Sequence, residues 1–368
     1  MSVAHRAQRV RARLAATTKA DALLVSDITN IHWLTGFTGS NGWVVLSPDA
    51  LTLITDGRYG QQATRQLAAA GVEGEVIVGA TSPVVMDHIA QCCARYTRVA
   101  FEAAHVTYAQ HVQYTQSIAA ELVPATGVVE AERRVKDADE IELMAEACRI
   151  ADQALAEVAP TLADGVTEAQ VRNHLETRMR ELGAVGPSYE TIVATGPINA
   201  ALPHHRPTST LIEHGHTVII DVGALVGGYH SDMTRTYFIG EPTALQRELY
   251  DVVLAAQRAG VATVAAGVSV KELDGVCRRI IEEAGYGDWF THGTGHGVGL
   301  LIHEDPFINR AGDTSLQVGD VVTVEPGVYY EGFGGIRIED LVVVTSDGCR
   351  VLTASPKDSQ CLPSPPTT

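Results

Sequence analysis

The segment Thr217-Val218-Ile219-Ile220-Asp221-Val222-Gly223 reads as a buried strand that carries one acid. After a Gly227-Gly228 turn comes a second strand-like run, His230 to Phe238, with Asp232 near its start. A hairpin centred between Val226 and Gly227 sets Asp221 directly opposite Asp232. Cross-strand Cβ atoms lie about 4.5–5.5 Å apart, and like charges so placed repel. In an apolar sheet that arrangement is costly unless something compensates. The pair can share one proton, or it can bind cations.

The device recurs downstream. Val321-Val322-Thr323-Val324-Glu325-Pro326-Gly327 is an apolar strand ending in an acid, and Gly335 to Val344 is another containing Glu339. The midpoint of 325 and 339 is Gly332, inside a glycine-rich turn, so Glu325 and Glu339 are expected to be neighbours. Arg337 and Glu339 share one strand face. Four buried carboxylates exceed what one shared proton can neutralise, whereas two divalent cations match them. His296 offers a nitrogen ligand. It lies in Thr291-His292-Gly293-Thr294-Gly295-His296-Gly297-Val298-Gly299, where every second residue is glycine. That spacing leaves one side of an extended segment bare for another segment or a ligand. It fits neither GxGxxG nor a P-loop. Oxygen-rich ligation with one imidazole suits Mn²⁺, Co²⁺, Fe²⁺ or Zn²⁺. Two such ions can activate water and polarise a carbonyl, which is hydrolytic chemistry.

The remaining chain frames this site. Its 368 residues suggest two domains at roughly 150 residues each. Lys and Arg number 27 against 44 Asp and Glu, a net charge of −17 that argues against nucleic-acid or anionic-membrane partners. No run approaches a membrane span, no apolar leader opens the chain, and no cysteine pair has CxxC spacing, so a cytoplasmic protein with free thiols is expected. Residues 1–130 alternate helix and strand: helices near 4–18, 60–70, 83–96 and 107–119, strands near 22–25, 43–46, 51–55, 75–78, 98–101 and 122–124. This is an α/β layer domain, with a boundary in the charged stretch Glu130–Asp139. Residues 131–368 hold a weak repeat. Gly165-Val166-Thr167 to Val171 matches Gly267-Val268-Ser269 to Leu273. Thr167 with Gln170, and Ser269 with Glu272, read as capping boxes. A longer helix precedes each (138–159 and 243–265), and Gly183 or Gly285 ends each. Two such halves make one domain with a cleft between them.

With these residues in place, the sequence resembles the pita-bread metallopeptidases, the family of methionine aminopeptidase, aminopeptidase P and prolidase. The pattern D…D…H…E…E is met by Asp221 (D-V-G), Asp232 (S-D-x-T-R-T), His296 (G-H-G-V-G), Glu325 (E-P-G) and Glu339 (I-R-I-E-D). The resemblance spans about 138–355, and the first 130 residues look like the creatinase/prolidase-type N-terminal domain through Thr35-Gly36-Phe37-Thr38-Gly39-Ser40 and Thr55-Asp56-Gly57-Arg58-Tyr59. It implies an α/β (α+β) chain: a creatinase-like domain over 1–130 and a pseudo-symmetric pita-bread catalytic domain over 131–368. It further implies two divalent ions, Mn²⁺ foremost with Co²⁺, Zn²⁺ or Fe²⁺ as substitutes. Asp221 would chelate one ion, Asp232 and Glu339 would bridge both, and His296 and Glu325 would hold the other. Glu325 would also act as general base. His204 would line the substrate pocket, and His292 and His303 would contact the scissile amide. The implied reaction is hydrolysis of the bond between an N-terminal residue and proline. Arg337 would pair with Glu339 or nearby acids and help close the site on the substrate, and Tyr189 and Leu202 would line the proline pocket. A small proline-containing peptide is the expected partner, and a homodimer the expected assembly.

Other histidines read as structural or solvated. His205, His214 and His216 flank turns, and His230 precedes Ser231-Asp232. Two rival functions remain on the same fold: a creatinase-like amidinohydrolase, which works without metal, and a binding protein that has lost its ligands. The complete ligand set opposes both, and the acidic charge opposes a nucleic-acid scaffold.

Overall fold

The computed structural model describes residues 3–163, 165–357 and 361–362. Contacts divide the chain into two units, Met1–Arg133 and Arg134–Thr368.

The first unit is built on strands β1 (Ala22–Val25), β2 (Gly42–Leu46), β3 (Leu51–Asp56), β4 (Glu75–Gly79), β5 (Arg98–Glu102) and β6 (Glu121–Ala125). They form one sheet in the order β4-β3-β2-β1-β5-β6. β2 runs antiparallel to both neighbours, while β1–β5, β5–β6 and β3–β4 are parallel. The parallel pairs require crossover helices, supplied by Gly60–Ala69, Ser82–Cys93 and Tyr108–Ser117. A helix at Ile28–Thr35 escapes the sequence reading. It is too short to show helical periodicity, but it carries both end signals: the Asp27 carboxylate accepts from Thr29 N, and Gly36 closes it at φ 72°.

The second unit contains β7 (Gly186–Pro187), β8 (Ile192–Thr195), β9 (Thr217–Asp221), β10 (Ala224–Val226), β11 (Tyr229–His230) and β12 (Thr234–Ile239). Its later strands are β13 (Gly295–Gly297), β14 (Glu304–Ile308), β15 (Val321–Val324), β16 (Gly327–Tyr330), β17 (Gly334–Arg337), β18 (Asp340–Thr345), β19 (Gly348–Val351) and β20 (Cys361–Leu362). Two sheets dominate, ordered β20-β12-β9-β8 and β14-β13-β15-β18-β19. Each packs on its own helix pair: Ala138–Val158 with Glu168–Glu181, and Ala244–Thr263 with Val270–Glu283. The repeat is therefore a structural one. Thr167 and Ser269 each cap the second helix of a pair, and each makes an isolated bridge, to Leu211 and Ser315. Thr167 and Gln170 form a full capping box; Ser269 accepts from Glu272 N without the reciprocal bond, so that half is a plain N-cap.

The two apolar cores are separate. One joins Val171, Leu175, Val218, Ile220 and Tyr237; the other joins Leu273, Ile281, Val322, Val324 and Val342. A small third cluster of Ile192, Ala194, Ala200, Ile219 and Tyr329 spans both halves. No helix among the described residues is long and apolar enough to cross a membrane.

Candidate metal centre and active site

The second acidic hairpin has the expected centre. β15–β18 pairs Val324 with Asp340, and β16–β17 pairs Gly327 with Arg337, so Glu325 and Glu339 stand opposite each other about Gly332. The first hairpin departs from expectation. Asp221 pairs with Thr234, and Leu225 with His230, which places the centre between Gly227 and Gly228. Asp232 therefore sits diagonal to Asp221 rather than opposite it. The displacement moves each partner by two residues, so the side-chain face is kept. The run His230–Phe238 is also interrupted: Ser231–Met233 leaves the ladder between β11 and β12.

The glycine alternation has a direct cause. A Cβ at Gly295 would lie 2.1 Å from the Thr323 carbonyl oxygen, and one at Gly297 2.4 Å from that of Asp305. The flanking strands β15 and β14 crowd this segment so closely that a side chain at either position is excluded. His296 is thereby held buried between them.

Asp232, His296 and Glu339 bring one ligand atom each within 4.8 Å of one another, all buried. His296 Nδ1 donates to the Gly297 carbonyl at 3.1 Å, which fixes the tautomer and leaves Nε2 as a lone pair. That lone pair faces Asp232 Oδ2 at 3.5 Å and Glu325 Oε1 at 3.4 Å. Tyr189 sits against both Asp221 and Asp232, the latter at 2.6 Å, with one hydroxyl proton for two carboxylates. Burial, then the charges of Asp221 and Glu325, push the Asp232 carboxyl far above its ordinary range. Glu339 is raised likewise by burial and then by Asp232. A lone pair aimed at clustered, buried carboxyl groups is a donor set matched to cations. Asp221 and Glu325 border this core, with Asp221 turned toward Arg337 and Glu325 accepting from Thr323 Oγ1 at 3.2 Å.

Of the acids expected to pair with Arg337, the structure selects Asp221. Its Nη2 donates to Asp221 Oδ2 at 2.7 Å, its Nε to Thr234 Oγ1 at 2.9 Å, and its Nη1 to Tyr329 Oη at 2.7 Å and Pro203 O at 3.1 Å. Glu339 is not its partner, because Thr234 Oγ1 stands between them and donates to Glu339 Oε2 at 2.7 Å.

A cavity of about 340 Å³ opens above these groups. His204, His292, His296, His303 and Tyr189 line it, with Ile192, Pro203, Ile302 and Phe307 as an apolar wall. His303 and His296 meet edge to face at 4.4 Å between ring centroids, since the 298–303 turn folds His303 back. Leu202 is a correction: it is 51% exposed and lies outside the cavity lining. The Tyr189 hydroxyl is committed to the acids, so the apolar wall falls instead to Ile302 and Phe307, which no motif marked. His292 has both nitrogens engaged, Nδ1 donating to Gly293 O at 2.7 Å and Nε2 accepting from Tyr329 Oη at 3.0 Å. Burial lowers its pKa, which keeps the ring neutral.

Each half anchors its cavity loop with a buried acid on its second helix. Glu168 accepts from Thr195 N at 2.8 Å, Asn199 Nδ2 at 3.0 Å and Thr208 N at 2.9 Å, and pairs with His205 Nε2 at 2.9 Å. His205 is thus buried and bonded, not solvated as its turn-like context suggests. In the other half Asp274 accepts from Thr294 N at 3.1 Å and pairs with Arg278, which donates to the His292 carbonyl at 2.7 Å. His230 serves the backbone, with Nδ1 on Gly299 O at 3.0 Å. Cys92, Cys93, Cys148, Cys277 and Cys349 are free thiols.

Comparison with known proteins agrees with this geometry. Residues 142–346 match the model of metallopeptidase family M24, and residues 6–135 that of the creatinase/prolidase N-terminal domain. The uncharacterized peptidase YqhT of Bacillus subtilis is 40% identical over 92% of this chain and 95% of its own length. The solved Xaa-Pro dipeptidase from Bacillus anthracis superimposes with a TM-score of 0.94 at 38% identity, covering 98% of this chain and all 100% of that one. The X-Pro aminopeptidase from Thermotoga maritima gives 0.86 at 34% identity, covering 95% and 99%. The chain belongs to metallopeptidase family M24. It is a hydrolase of mixed α/β architecture, a creatinase-type N-terminal domain followed by a pita-bread catalytic domain like that of the prolidases.

Proposed function

We propose that this protein hydrolyses the peptide bond between an N-terminal residue and proline, using two divalent cations, Mn²⁺ foremost. The observation that carries the reading is the convergence of Asp232, His296 and Glu339 beneath a cavity lined by histidines and an apolar wall. Asp221, Asp232, His296, Glu325 and Glu339 would hold the ions. When bound, the cations supply an acidified water and polarisation of the substrate carbonyl. Glu325 takes the proton from the attacking water as general base. The carboxylates bind the substrate's free amino group, which orients its first residue toward the acids. No protein group among the described residues hydrogen-bonds the rings of His204 or His303, so these two serve the scissile amide: one steadies the carbonyl oxygen and one passes a proton to the leaving proline nitrogen. His292, neutral and held by Tyr329, shapes that side of the pocket. Ile302, Phe307, Pro203 and Ile192 receive the proline ring. The Xaa-Pro dipeptidase and X-Pro aminopeptidase relatives support this substrate class.

The test is removal of metal by chelator dialysis, addition of Mn²⁺ or Co²⁺, and assay of Ala-Pro beside an Xaa-Pro-Yaa tripeptide. Metal-dependent cleavage after the first residue is expected. Cleavage of neither peptide with any divalent ion would refute the reading. Cleavage of the dipeptide alone defines a prolidase, and cleavage of the tripeptide an aminopeptidase P.

A further inference from the structure

The strands that carry Asp232 and Glu339 are tied from behind by the C-terminal segment. Arg235 is fully buried. Its Nη1 donates to the carbonyls of Thr234, at 2.9 Å, and of Glu339. One guanidinium thus fastens the start of β12, two residues past Asp232, to the backbone of Glu339. The opposite edge of the same group donates to the Ser355 carbonyl, from Nε at 3.0 Å and Nη2 at 2.7 Å. Nη2 also donates to Asp340 Oδ1 at 2.9 Å. Asp340, adjoining Glu339, accepts from Thr353 Oγ1 at 2.9 Å, from Gln257 Nε2 at 2.9 Å and from Lys357 Nζ.

The segment is itself anchored at both ends. Asp152 accepts from Ala354 N and Ser355 N, each at 2.8 Å, and from Ser355 Oγ at 2.6 Å. Lys357 Nζ donates to Gln257 Oε1 at 3.1 Å. Asp152 lies on the first long helix, Ala138–Val158, and Gln257 on the second, Ala244–Thr263. Residues 353–357 therefore cross from one pseudo-symmetric half to the other, delivering a carbonyl and an ammonium to the back of the ligand strands.

We infer that the segment Thr353–Lys357 is a positioning strap for the metal centre, and that Lys357 and Asp152 set cation affinity without touching the cation. This rests on reading Asp232, His296 and Glu339 as the cation site. Without the strap, Arg235 keeps unpaired donors in the interior and Asp340 loses its ammonium partner. Both are strong reasons for the guanidinium to leave the Glu339 carbonyl. Outer partners of metal ligands are typically worth about 10–100-fold in metal affinity.

The test uses the full chain and Co²⁺ alone. Affinity is measured by equilibrium dialysis, and ligand geometry by the visible absorption of the Co²⁺-loaded protein. Lys357→Met and Asp152→Ala are each expected to bind Co²⁺ about tenfold more weakly with an altered spectrum. Far-UV circular dichroism should be unchanged, and Lys357→Arg should restore both properties. Wild-type affinity and spectrum in both variants would overturn the strap while leaving the metal site standing. Absence of Co²⁺ binding by the wild-type protein would overturn the metal reading itself. If Lys357→Met does not fold, Asp152→Ala decides alone, because its side chain lies outside the Arg235–Asp340 cluster.

Discussion

Arg337 donates to Asp221 at 2.7 Å, joining a strand of the second half of the catalytic domain to an acid of the first. The same guanidinium reaches Thr234, Tyr329 and Pro203, so one buried side chain holds four partners in a fixed fork. Arg337→Lys is therefore expected to behave as a disruptive change. Removing one member of a buried pair costs about 3–5 kcal/mol. Chemical denaturation should show a loss of that order for Arg337→Met in the transition of the catalytic unit. Lys should recover less than half, since an ammonium cannot span the fork.

Asp232 lies at the centre of the proposed metal site, and Asp232→Asn should lose bound metal and peptidase activity together. Outer-sphere changes already cost about 10–100-fold in metal affinity, so the loss here should be on the order of a hundredfold or more. Metal content by elemental analysis, beside Ala-Pro hydrolysis, checks this. A metal-loaded, active variant would contradict the proposed role of Asp232 in holding the cations.

Glu168 acts on the loop that carries His204, and its hydrogen bonds among the described residues go to Thr195, Asn199, His205 and Thr208 rather than to the candidate ligand acids. Glu168→Gln should lower kcat about tenfold, the equivalent of one buried charge-assisted hydrogen bond, with metal content unchanged. An unaltered kcat, or metal loss in parallel, would contradict the loop-anchoring role.

Glu102 in the N-terminal unit is buried, and burial raises its pKa to about 7 despite backbone donation from Ser26 and Asp27. A carboxyl so raised binds its proton more tightly folded than unfolded. Its contribution is thus full below the unfolded value of 4.5 and is lost as pH rises through about 7. Across that window the opening free energy of the Ser26 and Asp27 amides should fall by up to about 3 kcal/mol. Hydrogen exchange, corrected for its intrinsic pH dependence, measures it. Glu102→Gln should flatten the profile, and an equally steep profile in that variant would assign the effect elsewhere.

Local chemistry carried much of this in one dimension. Acids in apolar runs, a histidine between glycines and the capped helices at Thr167 and Ser269 are patterns within a few residues. They indicated the candidate ligands and the two-fold architecture. The Gly332 hairpin was legible because its strands pair symmetrically about one turn. The first hairpin was not, because Gly227 and Gly228 both take positive φ and Ser231–Met233 leaves the ladder. Either residue step looked equally acceptable in the strand pattern. Other features needed the folded chain. Arg337 meets Asp221 across 116 residues of sequence, and Ser355 meets Arg235 across 120. The apolar wall of Ile302 and Phe307, and the burial of His205 on Glu168, likewise depend on which segments pack together. By itself the sequence determined which groups must be neutralised and on which elements they lie. The tertiary structure alone decided which partner neutralises each, because a buried charge is satisfied by whatever the fold brings within hydrogen-bond reach, and no local periodicity encodes that meeting.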